Sequence, residues 1–152
     1  MNEIAEKFFA LDEADRKCVH ISMAEIALTS WNSHVASGSV PSSYQESVSG
    51  TIQSVDMALP ARALEAVKSS SSIENVEQDY REPICALQDD DWALNDDAEM
   101  AYYAIYNTFR KYSEGQAIDD WLIINQALSS LGEGADIFKP LREAVERCHG
   151  IT

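Results

Sequence analysis

Positive charge is scarce in this chain. Its 152 residues carry 11 lysines and arginines against 26 aspartates and glutamates, a formal net charge of −15 at pH 7. A field of that sign repels phosphates, which argues against direct binding to nucleic acid or to anionic lipid. Long apolar runs are missing too: none approaches the ~18 residues that a membrane span needs. The opening MNEIAEKFF reads as a capped amphipathic helix rather than as a secretory leader. Cysteine is limited to Cys18, Cys85 and Cys148. Odd in number and far apart, they predict three free thiols on core stripes and therefore a reducing, cytoplasmic setting.

Catalytic signatures are equally sparse. No nucleophile elbow, HExxH or phosphate-cradling glycine loop accompanies His20, His34 and His149. Of these, only His34 is expected outside a helix, in the loop after Trp31. Cys-Val-His at 18–20 and Cys-His at 148–149 lack the paired spacing of a structural zinc site. A calcium loop begun at Asp89 would put Leu94 where glycine is required and Met100 where glutamate must close it. The expectation is a protein that is not an enzyme, with no catalytic residues, no metal and no cofactor.

An apolar fraction of 45% is that of a folded globular protein, and the length suits one domain, 1–152. Apolar spacing is helical nearly throughout, with no convincing strand. A short helix over 2–10 buries Ile4 and Phe8, with Leu11 beside them. Asp12 caps a longer one running to about Trp31, with Cys18, Ile21, Ala24, Leu28 and Trp31 inward. After the loop Ser37–Ser43, the capping-box pair Ser43 and Glu46 starts a helix through Tyr44, Val48, Ile52 and Val55. Pro60 opens the next, burying Leu64 and Val67. Ser71 and Glu74 cap another, with Ile73, Val76, Tyr80, Ile84 and Leu87 inward and Pro83 inside it. Asn95 caps Asp96–Ser113, ended by Gly115, with Ala101, Ala104, Ile105, Thr108, Phe109 and Tyr112 inward. Asp119 or Asp120 starts a helix to Leu131 that buries Trp121, Leu122, Ile124 or Asn125, and Leu128. The last carries Phe138, Leu141, Val145 and Cys148. The fold class is all-α: a single-domain irregular bundle of seven or eight short helices.

The acidity is uneven. Residues 74–99 hold ten acids and one base, Arg81, whereas residues 1–73 hold nine acids and five bases. Halophilic adaptation would spread acids over the whole chain. Within the segment DDDWALNDDAE, the acids Asp96, Asp97 and Glu99 suit the first turn of a helix. The triplet Asp89, Asp90 and Asp91 has no such explanation. On the face of Asp96–Ser113 opposite the core stripe stand Tyr102, Tyr103 and Tyr106. Tyr102 and Tyr106 lie one turn apart, so these rings can form an amphipathic patch beside the carboxylates and Trp92. Carboxylates around aromatic rings suit arginine and lysine. The expected partner surface is therefore Asp89, Asp90, Asp91, Trp92, Asp96, Asp97, Glu99, Tyr102, Tyr103 and Tyr106. The plainer alternative packs the tyrosines against a neighbouring helix.

With DDDWALNDDAE, YYAIYNTF and its helical layout, the chain resembles the all-helical immunity proteins of bacterial polymorphic-toxin and contact-dependent growth inhibition systems. That resemblance implies an inhibitor of one cognate basic toxin domain, often a nuclease, acting in the cytoplasm by covering the active site or an adjacent surface. Two alternatives use the same acids: a nucleic-acid mimic that inhibits a DNA-binding protein, and a metal-assisted hydrolase built on Asp89–Asp91 and Asp119–Asp120. A third makes the acidity a device for solubility alone.

Overall fold

A computed structural model of the chain describes residues 3–70, 75–132, 134 and 136–150. Seven helices and one small hairpin make up its regular structure among those residues: α1 (Glu3–Phe9), α2 (Glu13–Ala36), β1 (Ser43–Gln45), β2 (Ile52–Ser54), α3 (Leu59–Ser69), α4 (Val76–Gln88), α5 (Asp96–Tyr112), α6 (Asp120–Ser129) and α7 (Lys139–Cys148). The fold is an irregular all-α bundle. Its two long helices, α2 and α5, pack on each other, with α6 on both, α7 on α2 and α3 on α5.

Local chemistry sets the helix ends. Asp12 accepts a hydrogen bond from the Asp15 N–H at 2.9 Å, Asn95 from Ala98 at 2.9 Å and Asp119 from Leu122 at 3.1 Å, so each caps its helix. Pro60 sits in the first turn of α3, where its missing N–H leaves no bond unmade. Gly115 follows α5 with φ +68°, a conformation that suits glycine. Helix α4 continues through Pro83. The expected Ser71–Glu74 cap and Ile73 lie outside the described residues.

Three expectations need correction. Residues 43–55 do not form a helix: β1 and β2 pair antiparallel, with Tyr44 opposite Gln53 and Gln45 opposite Ile52. Serines, Gly50, Thr51 and β-branched residues favour extended and turn backbone over helix, and Gly50 turns the chain with φ +72°. The 4-4-3 apolar spacing there was coincidental. Next, α2 runs on to Ala36, so His34 lies in its last turn and accepts a hydrogen bond from Asn95 Nδ2 at 3.3 Å. Finally, α6 buries Ile123, Ile124, Ala127 and Leu128, while Leu122 and Asn125 are exposed and Trp121 packs half-buried near Phe8 and Phe9.

The thiols also differ from expectation. Cys18 in α2 and Cys148 at the end of α7 form a disulfide across 130 residues of sequence, their Cα atoms 5.7 Å apart. Only Cys85 is free, and it is exposed. The spacing of cysteines in sequence carries no signal for a pair that tertiary packing brings together. The three-thiol basis for a reducing compartment is thereby removed. No described helix is long and apolar enough to cross a membrane.

At the centre of the core sits an aromatic cluster. Trp31, Trp92, Tyr80 and Tyr102 are wholly buried. Tyr102 lies 5.0 Å from Trp31, 5.2 Å from Trp92 and 4.9 Å from Tyr80 between ring centroids, and Tyr106 stacks on Tyr80 at 4.6 Å. The indole of Trp31 donates to the Met57 carbonyl and that of Trp92 to the Pro41 carbonyl, each at 3.0 Å. These bonds satisfy buried N–H groups and tie both flanks of the hairpin to the helices.

Candidate acidic interface

The aromatic half of the expected partner surface is interior. Trp92 and Tyr102 are wholly buried and Tyr106 nearly so. Helix α5 crosses the middle of the bundle, so its apolar contacts extend around most of its circumference rather than along one stripe. Reading one core face and assigning the rest to solvent is what placed Tyr102 and Tyr106 outside. Tyr106 donates to Glu77 at 3.4 Å and stacks beneath Arg110. Tyr103 is half-buried, and burial pushes its hydroxyl pKa up, as does the charge of Glu99.

The carboxylates, in contrast, reach the surface. Asp89, Asp90 and Asp96 are exposed, while Asp91, Asp97 and Glu99 are partly exposed. Among the described residues, none of the six forms an ion pair. The bases hold acids elsewhere: Arg62 bridges Asp56 and Asp79, Lys68 meets Glu25, Arg81 grips Glu77 and Arg142 pairs with Asp136. Partial burial, then the charges of Asp96 and Asp90, push the Glu99 carboxyl above its usual range. The triplet and the α5 acids therefore adjoin and repel one another.

The backbone around the triplet is informative. Asp91 N–H bonds the Ala86 carbonyl at 2.8 Å and Asp90 N–H bonds that of Leu87 at 3.3 Å, the two bonds of a Schellman motif closing α4. Asp90 holds the left-handed position of that motif, with φ +61°, where glycine is the unstrained choice. All three aspartates stand at a helix C-terminus, whose dipole disfavours negative charge. The acids of α5 occupy the favourable N-terminal end. Fold stability accounts for Asp96, Asp97 and Glu99 but runs against Asp89 and Asp90.

Beside the triplet lies a groove of about 360 Å³ between α4 and the hairpin. Tyr44, Val48, Cys85 and Ala86 form its apolar lining, and Glu46, Glu82, Asp89 and Asp91 add carboxylates. Arg81 also borders it, already bound to Glu77 at 2.8 Å. Burial, then the charges of Glu82, Glu46, Cys85 and Asp91, push the Tyr44 hydroxyl pKa up. Asp91 accepts from both the N–H and the hydroxyl of Ser47, at 3.1 and 3.3 Å, fixing the hairpin turn against the end of α4. Helix-based reading of residues 43–55 missed Glu46 and Val48 as members of this surface. The signal for them was the Ser-Gly-Thr run with its turn glycine.

The other acidic pair, Asp119–Asp120, has a different environment. Asp119 caps α6. Asp120 meets Lys111 at 2.7 Å and Arg16 at 3.1 Å. Burial opposes its ionisation, yet hydrogen bonds from Lys111 and Arg16 outweigh this and hold its carboxyl below the usual range. The Asp120 carbonyl lies 2.9 Å from His20 Nε2, which must therefore carry the proton, and Tyr112 donates to Nδ1 at 2.6 Å. Burial lowers the His20 pKa from 6.5 to about 4. This is a closed, self-neutralised network. Among the described residues, no three His, Cys, Asp or Glu side chains are grouped to hold a metal ion.

No family model matches the chain, and no curated protein or solved structure matches it either.

Proposed function

We propose that this chain is an acidic protein inhibitor: an immunity protein that neutralises a cognate basic toxin domain of the nuclease kind by covering its active site or an adjacent surface. The observation that carries this reading is the Asp89–Asp91 triplet, without an ion pair among the described residues and set where both the dipole of α4 and the backbone of Asp90 disfavour it. Carboxylates kept against the interest of stability are suited to an external cation.

A nuclease must present positive charge to phosphates, so an acidic protein can occupy the same surface. Opposite fields raise association rates above the unsteered range of about 10⁵–10⁶ M⁻¹s⁻¹. In this reading the chain performs no catalysis, binds no nucleic acid directly and meets its toxin in the cytoplasm, where reduction would open the Cys18–Cys148 bridge. Tyr102, Tyr106 and Trp92 support the surface from within, and Tyr103 contributes its accessible edge.

Co-expression with a basic toxin domain, sought first in the gene next to this chain's own, tests the proposal. The chain should protect the host and co-purify with a basic domain. A variant carrying Asn at Asp89, Asp90, Asp91, Asp96 and Asp97 should lose protection while keeping its helical circular dichroism. Full protection by that variant would place the docking surface elsewhere.

A further inference from the structure

Val48 is 98% exposed and Ile52 is 68% exposed, the most exposed large apolar side chains among the described residues. They do not sit on a loose loop. Glu46 N–H bonds the Thr51 carbonyl at 2.9 Å, and Gly50 N–H bonds that of Glu46 at 2.8 Å. Ser49 donates to the Glu46 carboxylate at 2.7 Å, and Ser47 is held by Asp91. A turn this heavily bonded holds Val48 in water, where burying it in a partner would be favourable.

We propose that the hairpin and α4 form the primary docking element of the inhibitor, receiving a protein segment that carries one apolar side chain between arginines or lysines. The inference rests on the acidic-inhibitor reading and specifies its partner. At about 360 Å³, the groove lies near the lower end of ligand-site volumes, roughly 300–1,000 Å³, which suits a side chain or two rather than a whole helix. Tyr44, Val48 and Ala86 meet the apolar residue. Glu82 and Asp89 meet the flanking cations through charge-assisted hydrogen bonds. Val48 also packs on the segment as it leaves the groove, whereas Ile52, paired with Gln45 on the face opposite Tyr44, points away from it. Binding costs little ordering, because Ser47 and Trp92 already hold the hairpin in place.

Cys85 provides a reporter, since it is the free thiol and lines the groove. The probes are two blocked pentapeptides of equal charge, Arg-Lys-Leu-Lys-Arg and Arg-Lys-Ser-Lys-Arg, titrated into the full chain with detection by NMR. The leucine peptide should bind about tenfold tighter, the gain of burying most of one such side chain, and should slow alkylation of Cys85 by iodoacetamide. Val48→Ser should shrink that difference without changing the affinity of the serine peptide, and Ile52→Ser, on the opposite face of the hairpin, should leave it unchanged. Equal, salt-sensitive binding of both peptides would overturn the docking inference and leave the acidic inhibitor standing. Failure of both peptides to bind at low salt would count against the two readings together.

Discussion

Two runs of aspartate, alike in sequence, have opposite relations to the fold. Asp119 and Asp120 open a helix, the first capping it and the second neutralised by Lys111 and Arg16 over a buried histidine. Asp89, Asp90 and Asp91 close a helix, with no ion pair among the described residues and a left-handed backbone at the middle one. The first run satisfies the protein's own requirements. In the second only Asp91 serves the fold, through Ser47 of the hairpin; Asp89 and Asp90 make demands that the fold does not meet. Charge density alone cannot separate them; the end of the helix and the whereabouts of the bases can.

The largest expected effect comes from acidifying the network behind Asp120. His20 binds a proton near pH 6.5 when unfolded but only near 4 when folded. Its contribution is therefore complete above pH 6.5 and is lost as pH falls toward 4, about 3 kcal/mol in all. Asp120, held below the usual range, deepens the loss at still lower pH. Urea unfolding between pH 7.5 and 4.5 measures this slope, and His20→Gln should flatten it. An unchanged slope would mean that the histidine is not buried neutral.

Next in size is Asp120→Asn, which removes one partner from Arg16 and Lys111 in a partly buried site and should cost about 1–2 kcal/mol of unfolding free energy. The matching change at the other run, Asn at Asp89 and Asp90 together, should stay within about 0.5 kcal/mol of wild type. Equal costs at the two sites would erase the contrast between them. Smallest, and opposite in sign, is Asp90→Gly. Relief of the left-handed strain and removal of a charge at the α4 C-terminus should raise stability by about 0.5 kcal/mol, after the entropy that glycine adds to the unfolded chain. A loss of stability would show that Asp90 serves the fold after all.

How much of this was legible in the sequence depended on whether the signal was local. Asp12, Asn95 and Asp119 mark helix starts through bonds made within a turn, Pro60 and Gly115 mark helix ends through their own backbone preferences, and all five do so in the structure. The pairing of Cys18 with Cys148 depends on how α7 docks on α2 and leaves no local trace. Tyr102 and Tyr106 were misplaced because α5 is surrounded, and one-face periodicity assumes a helix with an outside. The hairpin was hidden by a chance helical spacing of Tyr44, Val48, Ile52 and Val55 that outweighed the poor helix propensity of its serines, glycine and β-branched residues. Of the expected interface, the carboxylates are accessible and the buried rings are not.

The most direct test is the ionic-strength dependence of the association rate between this chain and the basic toxin domain proposed as its partner, measured by stopped flow for the wild type and for the variant with Asn at Asp89, Asp90, Asp91, Asp96 and Asp97. Steered association predicts a wild-type rate that falls steeply with salt and a variant rate that is slower and falls less steeply. Parallel salt dependences for the two proteins would contradict the account, since the unpaired carboxylates would then have no part in meeting the partner.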